Sequence, residues 1–164
     1  MKKILLTVFV LSISVVAFSQ MDSTAPYYKN RTLPQFRLLS VDSLVFNQSV
    51  LDDNKRTIIM MFHPECDHCQ HQLELLLSMP EVTESTQIVM VSGETVEKNK
   101  IFYDKYELQK YPFIHLGRDF TRFFLGFYKP GTVPVLVFYN KKKEFTLIKQ
   151  GNADKKEILQ ALNK

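Results

Sequence analysis

The sequence predicts an α/β fold with a central mixed sheet flanked by helices. Two observations carry the parallel part. Thr57-Ile-Ile-Met-Met-Phe62 and Gln87-Ile-Val-Met-Val-Ser92 are strand-length runs, apolar but for their ends, and each is followed by a helical pattern. Such runs suit strands covered on both faces, and strand–helix alternation implies parallel pairing. A third observation adds an antiparallel part. The apolar run 133–139 and the shorter run 145–148 are joined across Lys141-Lys-Lys143, a link only long enough for a hairpin.

The elements follow in chain order. Met1-Lys2-Lys3 is a short basic start. Residues 4–18 are then apolar apart from Thr7, Ser12 and Ser14. A membrane span needs about 20 residues. The shorter run fits a secretory signal at residues 1–19, with Ala17 and Ser19 as small residues ahead of a cut before Gln20. The mature chain is then expected to be exported, to a periplasmic or other extracytoplasmic compartment where disulfides can form. Residues 20–35 are polar, hold Pro26 and Pro34, and show no periodicity, which predicts a flexible arm.

Residues 36–164 read as one domain. The apolar segments 36–39 and 44–46 flank Ser40-Val-Asp-Ser43, a plausible N-terminal hairpin. After the strand at 57–62, Cys69, Leu73, Leu76 and Leu77 recur at i, i+4, i+7 and i+8, one face of a helix that Pro80 ends. The strand at 87–92 leads to a helix at 95–106 with Val96, Ile101, Phe102 and Tyr106 as its apolar positions. A short strand or turn at 113–116 and a short helix at 121–127 form an insertion before the strand opened by Pro134. Gly151 closes the last strand. Asn152 or Asp154 can cap a terminal helix carrying Ile158, Leu159 and Leu162.

Composition narrows the function. At 45% apolar residues with 13 Phe and 7 Tyr, the 164-residue chain can bury a core, so disorder is excluded as its main state. Loss of residues 1–19, which hold Lys2, Lys3 and no acid, lowers the formal charge of +4 by two. With no Arg/Lys stripe in what remains, nucleic acid is not an expected partner.

The two cysteines form Cys66-Asp67-His68-Cys69, just after a buried strand and opening a helix. That is a redox arrangement. Unpaired N–H groups and the helix dipole favour an anion at Cys66, which makes it the attacking thiolate. Cys69 lies one turn on, within the core-facing stripe, and reads as the shielded resolving thiol. As a structural staple the pair would be poor, because so short a loop removes little unfolded-state entropy. His68, at the helix start beside Cys69, is assigned an electrostatic tuning role on the Cys66 thiolate.

Here the chain resembles the thioredoxin superfamily, and more narrowly the exported TlpA/ResA-like thiol–disulfide oxidoreductases. The resemblance covers about residues 36–164. It rests on Ile58-Ile-Met-Met-Phe-His-Pro-Glu-Cys-Asp-His-Cys69, on Gly131-Thr-Val-Pro-Val-Leu-Val-Phe-Tyr139, and on the closing hairpin and helix. It implies a thioredoxin-like fold and a cis bond at Val133–Pro134 facing the cysteines, with Val133 and Thr132 presented to a bound substrate strand. It also implies a redox-active Cys66–Cys69 disulfide with no further cofactor. Protein disulfides or dithiols would be the substrates, a membrane thiol donor or acceptor the redox partner, and a monomer the working form. Relatives of this kind are mostly reductants.

The departures are specific. Glu65 stands where thioredoxins carry Trp, and Met60 where they carry a buried carboxylate that deprotonates the second thiol; Glu74 is a weak substitute. An alternative is copper delivery, for which thioredoxin-fold proteins use two cysteines and a distant histidine, here His115. Thiolate and imidazole suit Cu(I), but those proteins space their cysteines by three residues, not two.

Overall fold

The structure is a computed structural model that describes residues 24–164. The expected signal segment 1–19 and its cleavage point lie outside the described residues.

Seven strands form one mixed sheet. They are β1 (Arg37–Ser40), β2 (Val45–Asn47), β3 (Arg56–Met61), β4 (Thr86–Ser92), β5 (Ile114–Arg118), β6 (Val135–Tyr139) and β7 (Phe145–Gln150), in the spatial order β2-β1-β5-β4-β3-β6-β7. The central three, β5, β4 and β3, run parallel; the hairpins β1–β2 and β6–β7 flank them antiparallel. The helices are α1 (Asp67–Leu77), α2 (Pro80–Thr83), α3 (Val96–Lys105), α4 (Phe123–Tyr128) and α5 (Lys155–Leu162).

Period-two alternation divides the core by sheet face. Ile58, Met60, Ile88, Met90, Leu136 and Phe138 point to one face, which α1, α3 and α5 cover with Cys69, Leu73, Phe102 and Ile158. Their neighbours Ile59, Met61, Val89, Val91, Val135 and Val137 point to the other, covered by Phe36, Tyr27 and the aromatics of α4.

Several expectations need correction. The described part of the expected flexible arm is packed. Tyr27, in a 3-10 turn at Pro26–Tyr28, is buried and stacks on Phe145 at 5.6 Å. The Leu33 N–H donates to the Lys143 carbonyl, and the Phe145 N–H to that of Arg31. So short a turn, held by one aromatic anchor, leaves no periodic signal. Pro80 does not only end a helix but opens α2, where its missing N–H costs nothing. On α3 the buried residues are Asn99 and Phe102, whereas Ile101 is 69% exposed. The insertion holds a full strand, β5, because Gly117 lets it close on β1: a Cβ there would lie 2.7 Å from Leu38 Cβ. The Asp119 carboxylate accepts the Phe123 and Phe124 N–H groups at 3.0 and 2.7 Å, which sets the start of α4. At α5 it is Asp154 that caps, in a reciprocal box with Glu157.

Candidate active site

The parallel strand β3 ends at Met61, and a five-residue exit, 62–66, delivers the chain to α1. Cys66 is the N-cap residue of that helix, in extended backbone, and its side chain caps nothing. Its sulfur therefore sits at an open helix start, half-buried, while Cys69 is fully buried. Both are free thiols. Burial pushes the Cys69 thiol up to about 12; a backbone hydrogen bond at His63 offsets part of this, and the hydrogen bond and charge of Cys66 add to it. Met60 is buried in the cluster around Cys69, and Glu74 is exposed, so neither position brings a carboxylate to this thiol.

The cysteine loop is clamped from α3. The His63 ring accepts the Glu65 N–H at Nδ1 (3.2 Å) and donates from Nε2 to Glu94 (3.0 Å). Lys98 bridges Glu94 and Glu65 at 3.3 and 3.2 Å and holds the Glu94 carboxyl below the ordinary carboxylate range, with His63 adding to the effect. Gln70 donates to the Pro64 carbonyl, and its Oε1 accepts from Lys105 and Tyr106.

A second segment meets the loop across β6. The pairing Met61↔Val135 places Val133 and Pro134 beside the exit of β3. The Val133–Pro134 peptide is cis. Pro134 is buried, Val133 is half-buried against the same apolar cluster as Cys66, and Thr132 is exposed.

Residues 150–153 tie both segments together. The Gly151 N–H donates to the Pro134 carbonyl at 2.8 Å, and Gln150 Oε1 accepts the Gly131 N–H. Asn152 donates to the His68 carbonyl at 2.9 Å, and the Ala153 N–H to Gln72 Oε1 at 2.7 Å. Gly151 has φ +75°, which a side chain would strain. Gln72, three residues after Cys69 and beside the apolar stripe of α1, is buried with this tie.

The structure thus packs Val133 and Cys66 against the apolar cluster that holds Cys69, with Pro134 next in chain at the exit of β3 and Thr132 exposed before them. The His68 side chain is exposed, and its backbone carbonyl is the held part. His115 is not brought in. It packs against Phe46, while its neighbours Ile114 and Leu116 point to the face that holds Cys69, so the sheet separates it from the cysteines. Among the described residues no group of three His, Cys, Asp or Glu side chains is placed to hold a metal ion.

Solved structures share this architecture. A secreted Mycobacterium tuberculosis disulfide oxidoreductase homologous to E. coli DsbE aligns with a TM-score of 0.62 at 17% identity, over 77% of this chain and 93% of its own. The chain has the thioredoxin fold. Another protein with this fold, a thiol-disulfide isomerase from Corynebacterium glutamicum, aligns with a TM-score of 0.64 at 15% identity, over 82% of this chain and 96% of its own. In sequence, a 67-residue stretch is 28% identical to a protein disulfide isomerase-like 2-2 from Oryza sativa subsp. japonica. The match covers 41% of this chain and 18% of the length of that relative. No family model matches.

Proposed function

We propose that this chain is an exported thiol–disulfide oxidoreductase that reduces disulfides in other proteins. The observation that carries the reading is the pairing of a half-buried cysteine at an open helix start with a buried one a turn later, beside a cis-proline segment.

In this cycle the Cys66 thiolate attacks one sulfur of a substrate disulfide. A Cys66–substrate disulfide forms and the other substrate sulfur leaves as a thiolate. Cys69 then loses its proton and attacks the Cys66 sulfur. The Cys66–Cys69 disulfide forms and the second substrate thiolate leaves. Two electrons pass from chain to substrate, and a membrane thiol donor returns them. Thr132 and Val133 offer backbone to the substrate strand beside Pro134. With Cys69 held up to about 12 and no carboxylate brought to it from position 60 or 74, resolution is the slow step at neutral pH and quickens as pH rises.

His68 tunes the couple from an exposed position, so its imidazole acts through solvent. His68→Gln keeps the backbone carbonyl that Asn152 holds and the residue-68 N–H at the helix start, and removes only the imidazole. It should move the reduction potential more negative by some tens of millivolts, where about 30 mV is about 1.4 kcal/mol. An unmoved potential leaves His68 an ordinary surface residue.

Insulin reduction tests the roles. Cys66→Ser should abolish turnover and Cys69→Ser should accumulate mixed disulfides; full turnover in Cys66→Ser would sink the assignment.

A further inference from the structure

The ends of β3, β4 and β5 frame a cleft of about 400 Å³ next to the proposed substrate groove. Phe62, the first residue of the cysteine loop, and Val133, the residue before the cis-proline, both line it. Ligands of parallel sheets bind at such strand ends.

The cleft's two acids and two arginines balance formally but differ in their partners. Its two acids are already engaged. Glu94 is held by His63 and Lys98, and Asp119 spends both oxygens on the Phe123 and Phe124 N–H groups and Thr121. Its two arginines, Arg118 at the end of β5 and Arg122 before α4, make no ion pair or side-chain hydrogen bond among the described residues. The Arg118 Nε is buried without a partner. Glu97 feels Arg118 through space, but its hydrogen bonds go to Thr95 and its own backbone. A buried donor left unpaired is costly, and a guanidinium's planar fork matches a carboxylate. Phe120 and Leu125 are exposed on the same cleft and add an apolar rim.

We propose that Arg118 and Arg122 form a carboxylate subsite of the substrate groove, so that the chain selects disulfides lying near an acidic side chain or a chain-terminal carboxylate. The proposal rests on the redox reading above and deepens it by naming the substrate class. Arg118 and Arg122 are specificity residues that touch the bound segment; the chemistry stays with the cysteines.

Disulfide-linked peptide pairs test it with the full reduced chain. One set carries Glu at the positions flanking cysteine with an amidated C-terminus, a second carries Gln there and is amidated, and a third carries Gln with a free C-terminus. A carboxylate-bearing set should show a KM about tenfold lower than the neutral set at unchanged kcat, about 1.4 kcal/mol. The gap should narrow in high salt. Arg118→Gln and Arg122→Asn should each shrink it, and the double variant should bring the ratio close to one. Asn suits position 122, where φ is +56°. The same peptides with Ser for Cys, titrated onto the chain, read the preference as Kd without any exchange. Failure to reduce any peptide, with the Kd preference intact, therefore tells against the redox reading alone. Equal KM and Kd across the three sets in the unmutated chain, or a preference that survives the double variant, overturns the subsite.

Discussion

Replacing Cys66 by Ser leaves Cys69 as the only thiol of the chain, and its alkylation reports how firmly burial holds its proton. Cys69 lies in the apolar cluster with Met60, Leu73 and Leu136. Its thiol stands at about 12 against an ordinary 9.0. Well below both values, that difference leaves about a thousandfold less thiolate than a solvated thiol holds. The substitution removes the hydrogen bond and charge of Cys66, which both raise Cys69, but burial is the largest cause and stays. Shielding slows the reagent by a similar factor at each pH, so the slope isolates the proton. With iodoacetamide and mass-spectrometric readout, the rate should climb about tenfold per pH unit from about pH 7 to pH 10 with no plateau. In the unmutated protein Cys66 should take the label first and Cys69 should remain unlabelled. A Cys69 rate that levels off near pH 9 would refute the reasoning, because the site would then not be holding the thiol protonated.

Other outcomes follow from the same packing. Gly117→Ala should destabilise the fold by about 1–3 kcal/mol in denaturant melts, since the new Cβ meets Leu38 Cβ and Phe46 at 2.7 Å and β1 must shift. Burial lowers the His115 imidazole below its ordinary 6.5, so the unfolded chain binds the proton first on acidification. Stability from this residue is therefore present above about pH 6.5 and lost as pH falls, and His115→Leu should flatten that slope in melts at paired pH values. Asp154→Ala breaks the capping box and should cost about 1 kcal/mol, read as a lower melting midpoint.

Much of the fold was legible because its strongest signals are local. The runs around β3, β4 and β6 are apolar on both faces, and both faces are covered. β5 was ambiguous because His115, Gly117 and Arg118 break its pattern, and only the contact with β1 explains the glycine. The sequence pattern puts Ile101 on the apolar face of α3, but the helix buries Asn99 instead, a choice made by its neighbours in space. At the site, the cysteine pair and Pro134 stand out as short motifs. The clamps do not: Gln70–Lys105 and Gln72–Ala153 join residues 35 and 81 positions apart, and nothing in either segment alone names its partner. The copper alternative turns on a related point. Sequence can count a histidine, but only the strand register decides which sheet face His115 takes.

Titration of the reduced chain in glutathione buffers, with the free thiols counted after acid quenching, addresses the redox couple itself. Loss of both thiols in a single two-electron transition, reversed by excess reduced glutathione, is the expected result. Cys66 and Cys69 that never pair with each other at any glutathione ratio would contradict the account.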